Sequence, residues 1–404
     1  MRVPAVVKVG AAVAVALPAV ALRTAGVHPA PAVAIVLFGA AVVASAFLLV
    51  WAAEAAHHDI SGSLATAILA VIAVLPEYAV DLYFAWSAGH IPQNAQYAAA
   101  NMTGSNRLLL GLGWPFVAVL FAWGALRRGE RARSVQLHGG RRLELRFLGL
   151  ASLYSLVIPF TRRLAPYDSV VLLALFALYL WRAARGERTE PELVGVARSI
   201  GDLPKGRRRS AVIGMFAAAT AIVLLSSGPF AQALVSGGKA LGIDEFLLVQ
   251  WLAPLASESP ELLVAAVLAL RGHQDASLGT LLSAKVNQWT LLVGSLPLAF
   301  VLGGGAAGGI VLDARQTEEF VLTAAQTLLG FAVLVDLRLA VWESVALFVL
   351  FAVQFPFPQT SVRLGFSALY LVIALVLLVR RRADLVALVR AGSPKTGAMK
   401  SGSR

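Results

Sequence analysis

Long apolar runs separated by short polar and basic loops make up most of the chain. A run of roughly 17–25 such residues, wound as a helix, spans the hydrocarbon of a bilayer. Runs of this kind fall at residues 4–22, 31–54, 64–88, 96–126, 146–161, 168–184, 211–235, 244–270, 276–302, 318–336, 339–355 and 362–380. They predict an all-α integral membrane protein with about 12 transmembrane helices. The first run has two readings. Arg2 and Lys8 lead into an Ala/Val-rich stretch, and the small residues Pro29-Ala30-Pro31-Ala32 follow, as in a signal peptide. Its length and the weak cleavage signal favour a retained helix.

Composition agrees with the pattern. Of 404 residues, 58% are hydrophobic and 14% charged, against roughly 45–50% and about 25% in soluble domains. A net charge of +12 would suggest nucleic acid in a soluble protein. Here Lys and Arg sit in loops between apolar runs, so the charge reads as positive-inside orientation in a cell membrane, with the lipid bilayer and not nucleic acid as partner. Segment 127–146 (Arg127, Arg128, Arg131, Arg133, Arg141, Arg142, Arg146) should be cytoplasmic. So should 182–210, which ends Lys205-Gly206-Arg207-Arg208-Arg209, and Arg380-Arg381-Arg382 with the tail. Both termini then lie inside, while Arg162 and Arg163 fall outside, against the trend. Trp86, Trp123 and Trp181 near helix ends suit an interfacial belt. With no cysteine, disulfides and thiolate metal sites are excluded.

Two apolar runs carry a proline followed by a carboxylate: Val74-Leu75-Pro76-Glu77 and Glu258-Ser259-Pro260-Glu261. Their surroundings match. Ala46-Phe47-Leu48-Leu49-Val50 through Glu77 aligns with Ala231-Gln232-Ala233-Leu234-Val235 through Glu261, and Gly89-His90 with Gly272-His273. Arg146-Phe147 through Tyr179 aligns more loosely with Glu319-Phe320 through Phe351. Counting spans threads the two Pro-Glu helices in opposite directions, which is the mark of an inverted repeat with its site at the midplane. The chain thus divides into an added helix (1–28), a five-helix unit (29–184), a basic cytoplasmic linker (185–210), a second five-helix unit (211–357), and an added helix with a basic tail (358–404).

A charged side chain at mid-membrane costs roughly 2.5–3.5 kcal/mol on insertion scales, so each is a site candidate. Proline frees the carbonyl four residues earlier, here of Ile72 and Ala256, and a carboxylate beside freed carbonyls suits a hard cation. A protonated glutamate at a plain kink is the simpler alternative for one copy, less so for two. Asp81 follows Glu77 by four residues, a second ligand or proton carrier unless solvated near the interface. Glu258 precedes Glu261 by three, so the two acids share a face. Asn101, Ser105 and Asn106 line a Gly-containing helix, as ligands or as polar helix glue. Lys285, Asn287 and Gln288 occupy the equivalent stretch of the second unit. A buried Lys285 needs a counter-ion, for which Glu258 and Glu261 are nearest, and would then replace a bound cation with a fixed one. Otherwise it snorkels to the surface. Glu54, before His57-His58-Asp59, reads as the end of the second helix, and the histidines as solvated loop residues. Nucleophile-elbow, P-loop and zincin motifs are absent.

These residues resemble the calcium/cation antiporter superfamily, the membrane region of sodium/calcium exchangers. Its repeats carry a Gly-Thr-Ser-Leu-Pro-Glu type motif and a Gly-Asn-x-x-Gly-Ser-Asn motif, matched here by Leu75-Pro76-Glu77 and by Asn101 to Asn106, and in a reduced form by Ser257 and Pro260-Glu261. The resemblance implies that Glu77 and Glu261 bind transported cations, assisted by Ser105 and Ser257, with alternating access between helix groups. It also has departures. Ala73-Val74 stand for Thr-Ser, Leu109 and Gln288 for polar or acidic ligands, Ala284-Lys285 for Ser-Asn, and Glu258 is additional. Calcium takes about six to eight oxygens, so multi-sodium, calcium-selective exchange is weakened and a site for fewer cations, or one working against protons, is favoured.

The expectation is a secondary-active antiporter, not an enzyme, moving Ca2+ or Na+ against H+ or Na+, with inorganic cations as substrates and no cofactor. A sensor or scaffold that keeps the fold without transport is the alternative, and an intramembrane metalloenzyme a more distant third.

Overall fold

The computed structural model describes residues 4–56, 75–185, 193–355, 357 and 359–390, with the side chains of Pro76 and Glu77 outside the described set. Among the described residues, nine helices are long and apolar enough to cross a membrane. They are Ala5–Thr24, Pro31–Ala56, Asn94–Arg127, Gly139–Thr161, Pro166–Ala183, Lys205–Leu241, Glu245–Leu270, Ala314–Leu334 and Thr360–Arg380. The three other expected spans appear as Leu75–Ser87, where the description of the 64–88 run begins, as Gln274–Asn287 continuing to Leu302, and as the shorter Val341–Val353. The fold is all-α, and every expected run from 4–22 to 362–380 coincides with helix where it is described.

The basic segment before residue 211 is more ordered than its composition suggests. Gly195–Gly201 forms a short helix, and the following long helix already begins at Lys205. Its first turn is Lys-Gly-Arg-Arg-Arg, so basic residues that read as loop are helix extending past the apolar part. Arg382–Arg390 adds another short helix after the last span.

The two halves correspond element by element. The third helix of each is interrupted by a π turn, at Leu109–Gly113 and Gln288–Leu292; such turns mark functional sites more often than ordinary helix. Before the fifth helix of each half, Arg162 (φ 51°) and Leu337 (φ 61°) take left-handed backbone. Each fifth helix then starts with an acid at its third position that accepts the N–H just before the helix, from Ala165 to Asp168 at 2.7 Å and from Ala340 to Glu343 at 2.9 Å. These carboxylates satisfy donors that a helix start leaves open.

The halves are stitched together by two short antiparallel ladders. Ser134–Gln136 pairs with Arg338–Ala340, and Arg163–Leu164 with Ile310–Val311. Each ladder joins one half to the other, and swapping the halves turns one ladder into the second. The loop residues Arg128, Gln136 and His138 bond Leu270, Gln274 and Asp275 beside the first ladder. The first helices of the halves, Pro31–Ala56 and Lys205–Leu241, form the most extensive helix pair. The added helices Ala5–Thr24 and Thr360–Arg380 lie at the periphery, whereas Ala314–Leu334 is enclosed along nearly its whole length.

Candidate functional site

Asp244 caps the Glu245–Leu270 helix by accepting the Phe246 N–H at 2.9 Å. Within it, Pro254 and Pro260 free the carbonyls of Gln250 and Ala256. Both freed oxygens are used. Ser259 Oγ donates to Ala256 O at 3.1 Å, and the backbone of Gly104 lies so close to Gln250 O that a Cβ there would overlap it. Glycine at 104 thus lets the Asn94–Leu108 helix approach the broken one, backbone against backbone.

Glu258, 2% exposed, accepts a hydrogen bond from Gln288 Nε2 at 2.9 Å. Gln288 is the first residue of the second π turn, so the turn aims an amide at the additional acid. Glu261 lies within electrostatic range of Glu258, as does Glu54 of Glu261. His57-His58-Asp59 fall outside the described residues, while Glu54 lies near the end of the second helix, as expected. Its Oε2 is buried, with no hydrogen bond among the described residues. The alignment of Pro31–Ala56 across Glu245–Leu270 brings it inward, and an acid closing an apolar run was the only sequence signal for it. Ser257 Oγ turns back onto its own helix, donating to Ala253 O at 3.2 Å and Pro254 O at 3.3 Å.

On the facing helix, Asn101 and Ser105 stand one turn apart and are buried with Asn106. Ser105 lies near Glu258, and Asn101 near Asp81, neither pair forming a well-aligned hydrogen bond. Asp81 is fully buried on Leu75–Ser87, so the solvated alternative for it does not hold. The backbone of Glu77 begins that helix, while its side chain lies outside the described residues. Among those described, Ser105 Oγ, the Asn101 amide, both Asp81 oxygens, one oxygen each of Glu54 and Glu258, and Gln288 Oε1 have no hydrogen-bond partner. Buried polar atoms are rarely left so, and oxygen donors in this number are the ligand chemistry of a hard cation.

Lys285 is fully buried and does not snorkel. Its Nζ donates to the Asn106 carbonyl, and to Asn106 Oδ1 at 3.0 Å. Asn106 in turn anchors its own amide, Nδ2 donating to Met102 O at 3.0 Å. The ammonium is also within electrostatic range of Glu258, one of the two carboxylates expected beside it. Lys285 and Asn106 are 179 residues apart, the offset that also separates Leu109 from Gln288 at the starts of the π turns. The lysine meets its own counterpart in the other half. Groups of three or more His, Cys, Asp or Glu side chains able to hold a metal ion are absent among the described residues.

The fold and the family are found among known proteins. The model of the family described as sodium/calcium exchanger protein matches residues 30–184 and 211–357. A crystal structure titled as the H+/Ca2+ exchanger CAX is similar at 41% identity with a TM-score of 0.90, covering 96% of this chain and 97% of that one. Native YfkE shares the fold at 16% identity and TM-score 0.61, covering 90% and 99% of the two chains. The sodium-calcium exchanger NCX_Mj does so at 16% and 0.52, covering 86% and 100%. No curated protein sequence matches.

Proposed function

The chain belongs to the sodium/calcium exchanger protein family, and from that premise we propose that it exchanges Ca2+ for H+ across the cell membrane, with both termini cytoplasmic. The observation that carries this is Glu258, buried in the broken helix and held by Gln288, among buried amide and hydroxyl groups of Asn101, Ser105 and Gln288 that lack a hydrogen bond among the described residues. Carboxylates alternate between holding a divalent cation and holding protons, whereas the neutral ligands wanted for several Na+ ions are depleted by Ala73, Val74, Leu109 and Lys285. The similarity to the H+/Ca2+ exchanger CAX supports the same pair of ions. Glu77, Glu258 and Glu261 would bind the ion, with Asn101, Ser105 and Ser257 supplying neutral oxygens. Gln288 holds Glu258 in place, and Asp81 lies one helical turn beyond Glu77, placed to relay protons.

In everted membrane vesicles, an imposed acid interior should drive Ca2+ uptake, and uptake should in turn collapse the pH gradient. Glu261→Gln should abolish both with folded protein at wild-type abundance, and Glu54→Gln should raise the half-saturating Ca2+ concentration about tenfold, as for the loss of roughly 1.4 kcal/mol of binding. Wild-type rates in Glu261→Gln would remove the site, and Na+-driven uptake that ignores pH would replace the ion pair.

A further inference from the structure

We infer that the ammonium of Lys285 serves as a tethered monovalent cation in the ion site, filling one cation position in every transport cycle so that one fewer mobile cation accompanies each Ca2+. This rests on the exchange function proposed above, and it concerns stoichiometry, which that function leaves open.

The place of Lys285 in the fold carries the inference. The family motif reads Ser-Asn where this chain has Ala284-Lys285, and the first half keeps Ser105-Asn106. The replaced amide and the surviving one are therefore counterparts, and the structure sets them in contact at the junction of the halves. The contact is of the kind a monovalent cation makes: a backbone carbonyl and a side-chain amide oxygen of one residue converge on Nζ. The ring of Trp289 adds a weak π contact at 5.9 Å. The seat is built. Asn106 is held by Met102 O, and both Asn106 and Lys285 are fully buried.

Charge then follows. Lys285 lies within electrostatic range of Glu258, which is within range of Glu261 and held by Gln288. An ammonium fixed beside these acids lowers by one the positive charge that mobile ions must bring to neutralise them. Na+ or H+ would have to supply that charge if the lysine were neutral in shape only. Ammonium and Na+ carry the same charge and favour the same carbonyl and amide oxygens, so removing the first opens a position for the second.

Purified protein reconstituted in vesicles tests this by reversal of Ca2+ flux. At a series of fixed Ca2+ gradients, the pH gradient at which flux vanishes gives the number of protons per Ca2+. Lys285→Arg should keep the wild-type ratio. Lys285→Gln should raise it by one, and at fixed pH its Ca2+ flux should be stimulated by Na+, whereas wild-type flux should not change. Because Lys285→Gln risks inactivity, its melting temperature in detergent is read alongside. Na+ should stabilise Lys285→Gln and leave wild type and Lys285→Arg unmoved. An unchanged ratio in Lys285→Gln, or no Na+ stabilisation where that variant is folded but inactive, overturns the inference and leaves Lys285 a helix fastener. If the wild type itself fails to couple Ca2+ to protons, the exchange function falls, and the Na+ melting comparison still decides the role of the lysine.

Discussion

Arg107 and Glu319 form a buried ion pair between the Asn94–Leu108 and Ala314–Leu334 helices. Glu319 is shared with Arg363 of the added helix Thr360–Arg380, and Arg363 also reaches Glu318 at 3.3 Å. Arg107 directly follows Asn106, the seat of Lys285, and stacks over Trp251 at 5.1 Å. The network therefore links the peripheral helix to the residue next to the Lys285–Asn106 contact. Its two arginines and two glutamates balance in charge.

Removing one partner leaves an uncompensated buried charge. Glu319→Gln should lose about 3–5 kcal/mol of stability, read as a fall in melting temperature in detergent. The double variant Glu319→Gln/Arg363→Gln, neutral again, should recover part of the loss. A single variant that melts with wild type would show that the network is not buried as described.

Asp81 separates function from stability. A fully buried carboxylate with no hydrogen-bond partner among the described residues is costly unless it is used. Asp81→Asn should raise the melting temperature while lowering Ca2+ uptake at least tenfold. If uptake stays at wild-type level, Asp81 has no part in proton transfer, whatever its stability effect.

Gly104 has no room for a side chain beside the Gln250 carbonyl. Gly104→Ala should push the Asn94–Leu108 helix off Glu245–Leu270, costing about 1–3 kcal/mol as overpacking does and weakening Ca2+ binding because Ser105 and Asn106 move with it. Normal affinity and stability together would contradict the backbone contact.

Sidedness is open to a direct measurement because the chain has no cysteine. Glu130 and Ala307 are exposed and lie by opposite ladders. A membrane-impermeant maleimide added to intact cells should label Ala307→Cys and spare Glu130→Cys until the membrane is opened. The reverse pattern would invert the orientation.

The spans were legible because length and apolar content alone set them, as at 31–54 and 244–270. The inverted pairing was legible because Pro-Glu survives in both halves. What stayed hidden depends on partners far apart in sequence. Arg107, Glu319 and Arg363 each show as a charge in or beside an apolar run, but no pattern says that the three meet. Glu54 was legible only as an acid near the end of an apolar run, and its place within electrostatic range of Glu261 needed the fold. Lys285 was legible as a buried charge, yet its bond to Asn106, 179 residues away, needed the fold. Pro254 reads in sequence as one proline among many in apolar runs, and only the fold sets Gly104 against the carbonyl that it frees.

The ladders bear on how an ion gets through. Each ties a loop of one half to a loop of the other, one ladder at each end of the molecule, so the later helices of both halves form a single closed frame. Among the described residues, the pair Pro31–Ala56 and Lys205–Leu241 has no such stitch, although both helices pack on Glu245–Leu270. A frame sewn at both ends cannot open like a hinged book. The exchange proposed above would then require that helix pair to move along the frame, like a sash in its casing, to uncover the site on one face and cover it on the other.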